Sequence, residues 1–175
     1  KAHRKLGYLK RTLAKATRET KLFAHKTYTT LLLEYASSVW APHTQANIDE
    51  LESVQRKAVR FMFNAYRHDT SPTAVLESAK LETLQWRRYH ERMKLFYLIY
   101  NDKLAIRKTN YIKPILRRET RSSHPKRIDE LLCHTNIYRY SFFPRAINEW
   151  NKLPPEALES VDLKSFLRAL PAPSF

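Results

Sequence analysis

The chain has 175 residues, 43% of them hydrophobic and 12% aromatic; that is enough for one ordinary core or a small bundle with an appended segment, and too apolar for disorder throughout. Gly7 is the single glycine and Cys133 the single cysteine. Their scarcity excludes glycine-rich phosphate loops, dinucleotide fingerprints and internal disulfides, and it disfavours the tight hairpins of sheet-rich folds. The formal charge of +15 falls in two blocks: residues 1–33 carry +8, 34–102 are neutral, 103–127 carry another +8, and 128–175 carry −1.

The pattern predicts an all-α, mainly helical fold. A first helix is expected over 2–16. Ala2, Leu6, Leu9 and Leu13 would form its apolar stripe, with Arg4, Tyr8, Arg11 and Lys15 on another face, flanked by Lys1 and Lys5. Thr17 is suited to cap a second helix reaching Trp40, with Leu22, Phe23, Leu32, Leu33 and Val39 inward and Pro42 ending it. Thr44 or Asn47 then caps a third. In it Ile48, Leu51, Val54, Ala58, Phe61 and Met62 would face inward, and Arg56, Lys57, Arg60 and Arg67 outward.

Ser71-Pro72 reads as a cap followed by a first-turn proline, so a short helix is expected there. Thr83 opens another over 84–100, with Leu84, Arg88, Leu95, Phe96 and Ile99 setting its periodicity and a basic, aromatic face exposed. Residues 103–127 read as a mostly irregular basic loop with a turn of helix near Ile112. Tyr138, Tyr140, Phe142 and Phe143 form an aromatic run, read as extended, before a helix over 144–151. Leu153-Pro154-Pro155 breaks the chain, and Asp162 caps a last helix with Leu163, Phe166, Leu167 and Leu170. The expected organisation is a three-helix bundle over 1–66, a helical extension over 67–102, the basic loop over 103–127 and a small C-terminal helical unit over 128–175.

A start at Lys1 in place of Met is expected of a trimmed chain or of a piece of a longer reading frame. The basic start fits no signal peptide. The apolar run Leu31-Leu32-Leu33 stops at Glu34, so no membrane span is expected.

Blocks of one charge sign attract a polyanion, and nucleic acid is the leading candidate; a face serving only solubility mixes signs. The candidate contacts are Arg4, Lys5, Tyr8, Arg11 and Lys15, then Arg56 and Arg60, then Arg117, Arg118, Arg121, Lys126 and Arg127. Catalytic groups are not in evidence. Two-metal phosphoryl transfer needs converging carboxylates, yet none of Asp49, Asp69, Asp102, Asp129 and Asp162 adjoins another. Asp49-Glu50 fits a helix start better than a metal site. Cys133-His134 has no second Cys or His close by, so neither zinc nor a nucleophile is supported, and Cys133 reads as a small buried residue. Trp40 and Trp150 read as core.

Residues Lys1-Ala2-His3-Arg4-Lys5-Leu6-Gly7-Tyr8-Leu9-Lys10-Arg11 resemble the start of the thumb in jockey-like non-LTR (LINE-type) retrotransposon reverse transcriptases. Leu33-Glu34-Tyr35-Ala36-Ser37-Ser38-Val39-Trp40 resembles the next recurrent block, followed by Thr44-Gln45, Ile48-Asp49, Leu51-Glu52 and Val54-Gln55-Arg56-Lys57-Ala58. Tyr140-Ser141-Phe142-Phe143-Pro144-Arg145, Ile147, Trp150-Asn151 and Leu153-Pro154-Pro155 resemble the C-terminal block of the same polyproteins. The likeness keeps the family's order over nearly the whole chain. It implies a helical thumb that grips an RNA–DNA template–primer duplex, with the palm and fingers of its own polyprotein as further partners. It also implies an intracellular setting, in nucleus and cytoplasm. The family's Tyr/Phe-Ala-Asp-Asp motif does not occur, so no catalytic residue carries over. No cofactor is expected in this chain, and Mg2+ would serve only the parent polymerase. Two other readings stand beside this one: a helical protein-interaction module using the aromatic run, and a non-functional remnant of a decayed element.

Overall fold

The fold is given by a computed structural model, which describes residues 1–66, 76, 81–114 and 124–171. Among these residues the chain is mainly helical, without a strand and with one isolated antiparallel bridge, between Pro114 and Ile128. No described helix is long and apolar enough to cross a membrane. Two compact units emerge. One is Lys1–Ser37 with Pro42–Arg87, the other Ser38–Ala41 with Arg88–Phe175. The first unit thus closes at Arg87, inside the helix Leu84–Tyr100. The helix expected at Ser71-Pro72 lies outside the described residues.

In the first unit, α1 (Ala2–Thr12) buries Leu6 and Leu9, while Ala2 and Leu13 pack at the edge of the same cluster. It is shorter than expected: Leu13 leaves helical geometry, and Lys15 sits in the turn that follows. α2 (Arg18–Ala24) starts at Thr17, whose hydroxyl accepts the Thr20 N–H at 3.3 Å. It runs into a π-helical stretch, His25–Thr30, and then α3 (Leu31–Glu34). The cause of the wide turn is legible in His25-Lys26-Thr27-Tyr28-Thr29-Thr30. Three β-branched threonines crowd the helix, and the Thr27 hydroxyl donates back to the Phe23 carbonyl at 2.9 Å.

A π turn holds more residues than an α turn, so it rotates every later side chain out of α phase. Lys21 and Ala24 are buried ahead of the wide turn, His25, Thr29 and Thr30 within it, and Leu33 after it. Of the five expected inward, Leu33 is buried and Leu22 half-buried; Phe23, Leu32 and Val39 are exposed. The helical path also stops at Glu34, well before Pro42, where Ala36 takes a left-handed φ of 52°.

α4 (Gln45–Phe63) contributes Val54, Ala58, Val59, Phe61 and Met62 to the core, with Leu51 at its edge, and ends at Asn64 in the left-handed conformation that suits Asn. Lys21 spans the gap between α2 and α4. Its Nζ donates to Asn64 Oδ1 at 3.2 Å and lies over the Phe61 ring at 4.8 Å, so its stem is buried while its charge is met. α5 (Leu84–Tyr100) begins where the Thr83 hydroxyl accepts the Trp86 N–H. Its first turn is tied to α4, because Glu52 accepts the Gln85 N–H at 3.0 Å and Gln55 donates to the Glu82 carbonyl at 2.7 Å.

The second unit gathers around Trp150. α6 (Asn136–Arg139), α7 (Phe142–Asn151), α8 (Pro155–Leu158) and α9 (Leu163–Arg168) follow the irregular stretch after α5, which holds a 3-10 turn at Lys108–Asn110. Trp150 meets Phe96, Tyr100 and Phe166 at 5.3, 4.9 and 5.6 Å between ring centroids, and its indole N–H donates to the Lys126 carbonyl at 3.0 Å. Asn151 pairs with both backbone groups of Ile128, holding residues 124–128 against α7.

Several expectations are corrected here. The aromatic run is helical, because Thr135 caps α6 and Ser141 precedes α7. Pro155 opens a helix where a break was expected, since proline suits a first turn. The basic, aromatic face of α5 is buried, with Arg88, Tyr89, Arg92 and Tyr97 all inside. Trp40 is partly exposed, its ring under the Arg88 guanidinium at 4.3 Å, and Cys133 is half-buried with its thiol toward the Leu131 carbonyl. Asp49 lies beyond the first turn of α4 and accepts from the Gln45 side chain.

Buried His25 makes the first unit acid-sensitive. Its Nδ1 has no hydrogen-bond partner; burial first, then the charges of Arg87 and Lys26, push the imidazole from 6.5 down to about 4. As pH falls the unfolded chain takes up this proton before the folded one does. Stability is therefore full above the unfolded value, and between the two values it declines by up to about 3 kcal/mol. The thermal midpoint should fall between about pH 7 and about pH 4.5, and less so in His25→Gln. An equal fall in both proteins would remove His25 as the cause.

Candidate nucleic-acid interface

The apolar stripe of α1 points Leu6 and Leu9 into the core, so helical geometry turns Arg4, Tyr8 and Arg11 to the opposite side. All three are exposed, as are Lys5 on one flank and Lys15 in the turn beyond. The basic side chains of α1 are thus held at fixed intervals by residues that do no more than pack. Gly7 needs no special conformation: a Cβ there would meet only the Arg11 guanidinium at 3.8 Å.

The other flank carries a residue that the sequence reading left out. Lys10 lies between the stripe and the solvent, and its ammonium is held below the usual lysine range, first by partial burial and then by the charges of Lys57 and Arg60. α1 and α4 therefore bring three cations from distant parts of the sequence into one neighbourhood. Lys57 and Arg60 are exposed. Arg56 is more occupied, half-buried and donating to the Asp49 carbonyl at 3.4 Å. Lys10 resembles a boundary residue in sequence; only the approach of α4 marks it as part of a charged cluster.

The second basic block divides differently. Arg117, Arg118 and Arg121 lie outside the described residues. Lys126 is committed to the fold, donating from Nζ to the Leu158 carbonyl at 2.7 Å. Arg127 is half-buried, with its Nε enclosed and without a hydrogen-bond partner. Lys108 donates to the Tyr100 carbonyl at 2.9 Å and pairs with Asp102. Among the described residues, no three of His, Cys, Asp and Glu gather where they could hold a metal ion.

Lys10 yields a test of the cluster that needs no ligand. A lysine whose charged form is disfavoured in the fold costs stability at every pH below its depressed value, neutral pH included. Lys10→Gln should leave the thermal midpoint at low salt unchanged or higher, and should weaken the rise in midpoint that added salt brings by screening like charges. A clearly lower midpoint in the variant would mean that Lys10 is held by attraction instead. Searches of family models, curated proteins and solved structures gave no match to this chain.

Proposed function

We propose that the chain is a non-catalytic piece of a retrotransposon-type reverse transcriptase, the thumb and the segment after it, gripping a nucleic-acid duplex by its phosphates. The observation that carries this reading is the basic surface of the first unit. Arg4, Lys5, Arg11 and Lys15 are exposed away from the core of α1, and Lys10, Lys57 and Arg60 crowd together despite their repulsion. Crowding like charges costs stability, and a polyanion would offset that cost. Tyr8, more than half exposed between Arg4 and Arg11, would rest against the sugar–phosphate backbone. Such contacts position a duplex without reading its sequence. The resemblance of the same residues to the reverse-transcriptase thumb supports an RNA–DNA duplex as the ligand.

Phosphate binding releases counterions, so affinity should fall steeply and linearly in a log–log plot against salt. Replacing Arg4, Arg11 and Lys15 by Ala should lower the slope by roughly 1 per lost contact, with similar losses on unrelated sequences. A flat salt dependence in the parent chain, or an unchanged slope in the triple variant, would reject the proposal.

A second reading has its own observation. Phe23, Tyr28, Leu31 and Tyr35, before, in and after the wide turn, are exposed, with Phe23 and Tyr35 more than 70% accessible. Large apolar side chains left on the surface are what a docking partner would cover. If this face is the working surface, Leu31→Glu with Tyr35→Ser should reduce concentration-dependent association in sedimentation runs and leave nucleic-acid binding intact. Unaltered association in that variant would remove the docking reading.

A further inference from the structure

The core of the first unit brings one lysine of α1 beside two cations of α4. Leu6 and Leu9 share a buried cluster with Val54, Ala58 and Val59. Lys10 follows Leu9 directly, and Lys57 and Arg60 stand three residues apart on α4, a spacing that puts them on one face. Lys10 is half-buried, whereas Lys57 and Arg60 are exposed. Among the described residues, no carboxylate is paired with any of the three. Burial, then the charge of Lys57, then that of Arg60 hold the Lys10 ammonium below the usual lysine range, and no attraction opposes them. Lys5 and Lys15, its neighbours in sequence, lie fully in solvent. A lysine beside other cations in a partly desolvated place has more of its amine free to act as a nucleophile. The two cations that bring this about also favour an anion beside it.

We propose that Lys10 is an acylation site, at which the side-chain amine takes the acyl group of an acyl phosphate whose phosphate seats on Lys57 and Arg60. The lone pair of Nζ attacks the acyl carbon. A C–N bond forms, the C–O bond to the phosphate breaks, and phosphate leaves with that electron pair. One amine proton is lost, to the leaving phosphate or to water. The product is a neutral amide, so the modification removes one charge from a cluster that repels itself. The planar donor fork of Arg60 suits phosphate oxygens, and Lys57 adds a second point of charge. The site shares residues with the duplex-gripping reading but rests on their mutual repulsion, not on that reading.

The full chain should be treated with acetyl phosphate at neutral pH to low conversion, and acetylation read lysine by lysine by mass spectrometry. Lys10 should react severalfold faster than Lys5 and Lys15, although they are the more exposed. In urea the preference should vanish, because α1 and α4 no longer meet. Lys57→Gln with Arg60→Gln, at two exposed positions, should fold and should bring Lys10 down towards the rate of Lys5. Equal rates at the three lysines in the folded chain, a preference that persists in urea, or an undiminished one in the double variant overturns the site.

The phosphate seat is tested with a second, uncharged reagent, the N-hydroxysuccinimide ester of acetic acid. It needs a free amine and offers no phosphate. The double variant should lose more of the Lys10 preference with acetyl phosphate than with the ester, because the first reagent loses both the activated amine and the seat. Equal losses with the two reagents would overturn the seat on Lys57 and Arg60. No nucleic acid enters either measurement, so a failure here leaves duplex binding to its own salt titration, and a failure there leaves these rates as they are.

Discussion

Like charges repel, and the arrangement of the first unit depends on what holds them side by side. On α1 that task falls to a narrow apolar stripe, Leu6 and Leu9 buried with Ala2 and Leu13 at the margin. The stripe fixes the rotation of the helix, and the rotation fixes which way Arg4, Lys5, Arg11 and Tyr8 point. α4 answers with Val54, Ala58 and Met62 on its inner side, which leaves Lys57 and Arg60 free to approach Lys10. Burial of apolar surface is thus turned into a concentration of charge. A few core side chains hold a cationic surface that electrostatics alone would disperse.

The same physics works in the opposite direction in the second unit. There the cations are inside, and they stay because something was placed to meet them: Glu149 for Arg92 and Arg145, and the Trp40 ring for Arg88. Aromatic packing around Trp150 supplies the frame, and backbone carbonyls of residues 126 and 158 absorb the polar groups that the frame encloses. Basic side chains in this protein therefore divide into two kinds. Those of α1 are exposed by their anchors, and those of α5 and α7 are drawn in by theirs. Net charge cannot tell them apart.

That division explains what could be read from the sequence. The stripe and outer face of α1, the inner residues of α4 and the span of α5 follow from apolar spacing and caps, all of which are local. The inner face of the helix after Thr17 was misread because three threonines widen the turn at His25–Thr30, and α periodicity does not survive a change of pitch. A basic, aromatic face of α5 was expected outside because an arginine's partner is invisible until the fold supplies it, and Glu149 lies 57 residues from Arg92. Lys10 escaped for the same reason: Lys57 and Arg60 come to it from another helix. Trp150 was legible as core, since it falls in the apolar pattern of its own helix, whereas Trp40 is placed by Arg88 and not by periodicity.

The wide turn bears on function as well as on phase. In regular α geometry continued from Lys21 and Ala24, Leu32 and Tyr35 would have turned inward and Leu33 outward. The turn instead buries His25, Thr29 and Thr30 and leaves the larger apolar side chains outside. Enclosing His25 Nδ1 and Thr29 Oγ1 without hydrogen-bond partners costs free energy, and exposing Leu31 and Tyr35 forgoes burial. A helix that loses on both counts is poorly placed for stability by itself. Surfaces arranged against stability are more often retained for what they contact, and here that surface lies in the same unit as the cationic face of α1. The thumb proposed above would need both kinds of surface, one to hold a duplex and one to bear on the rest of its polymerase.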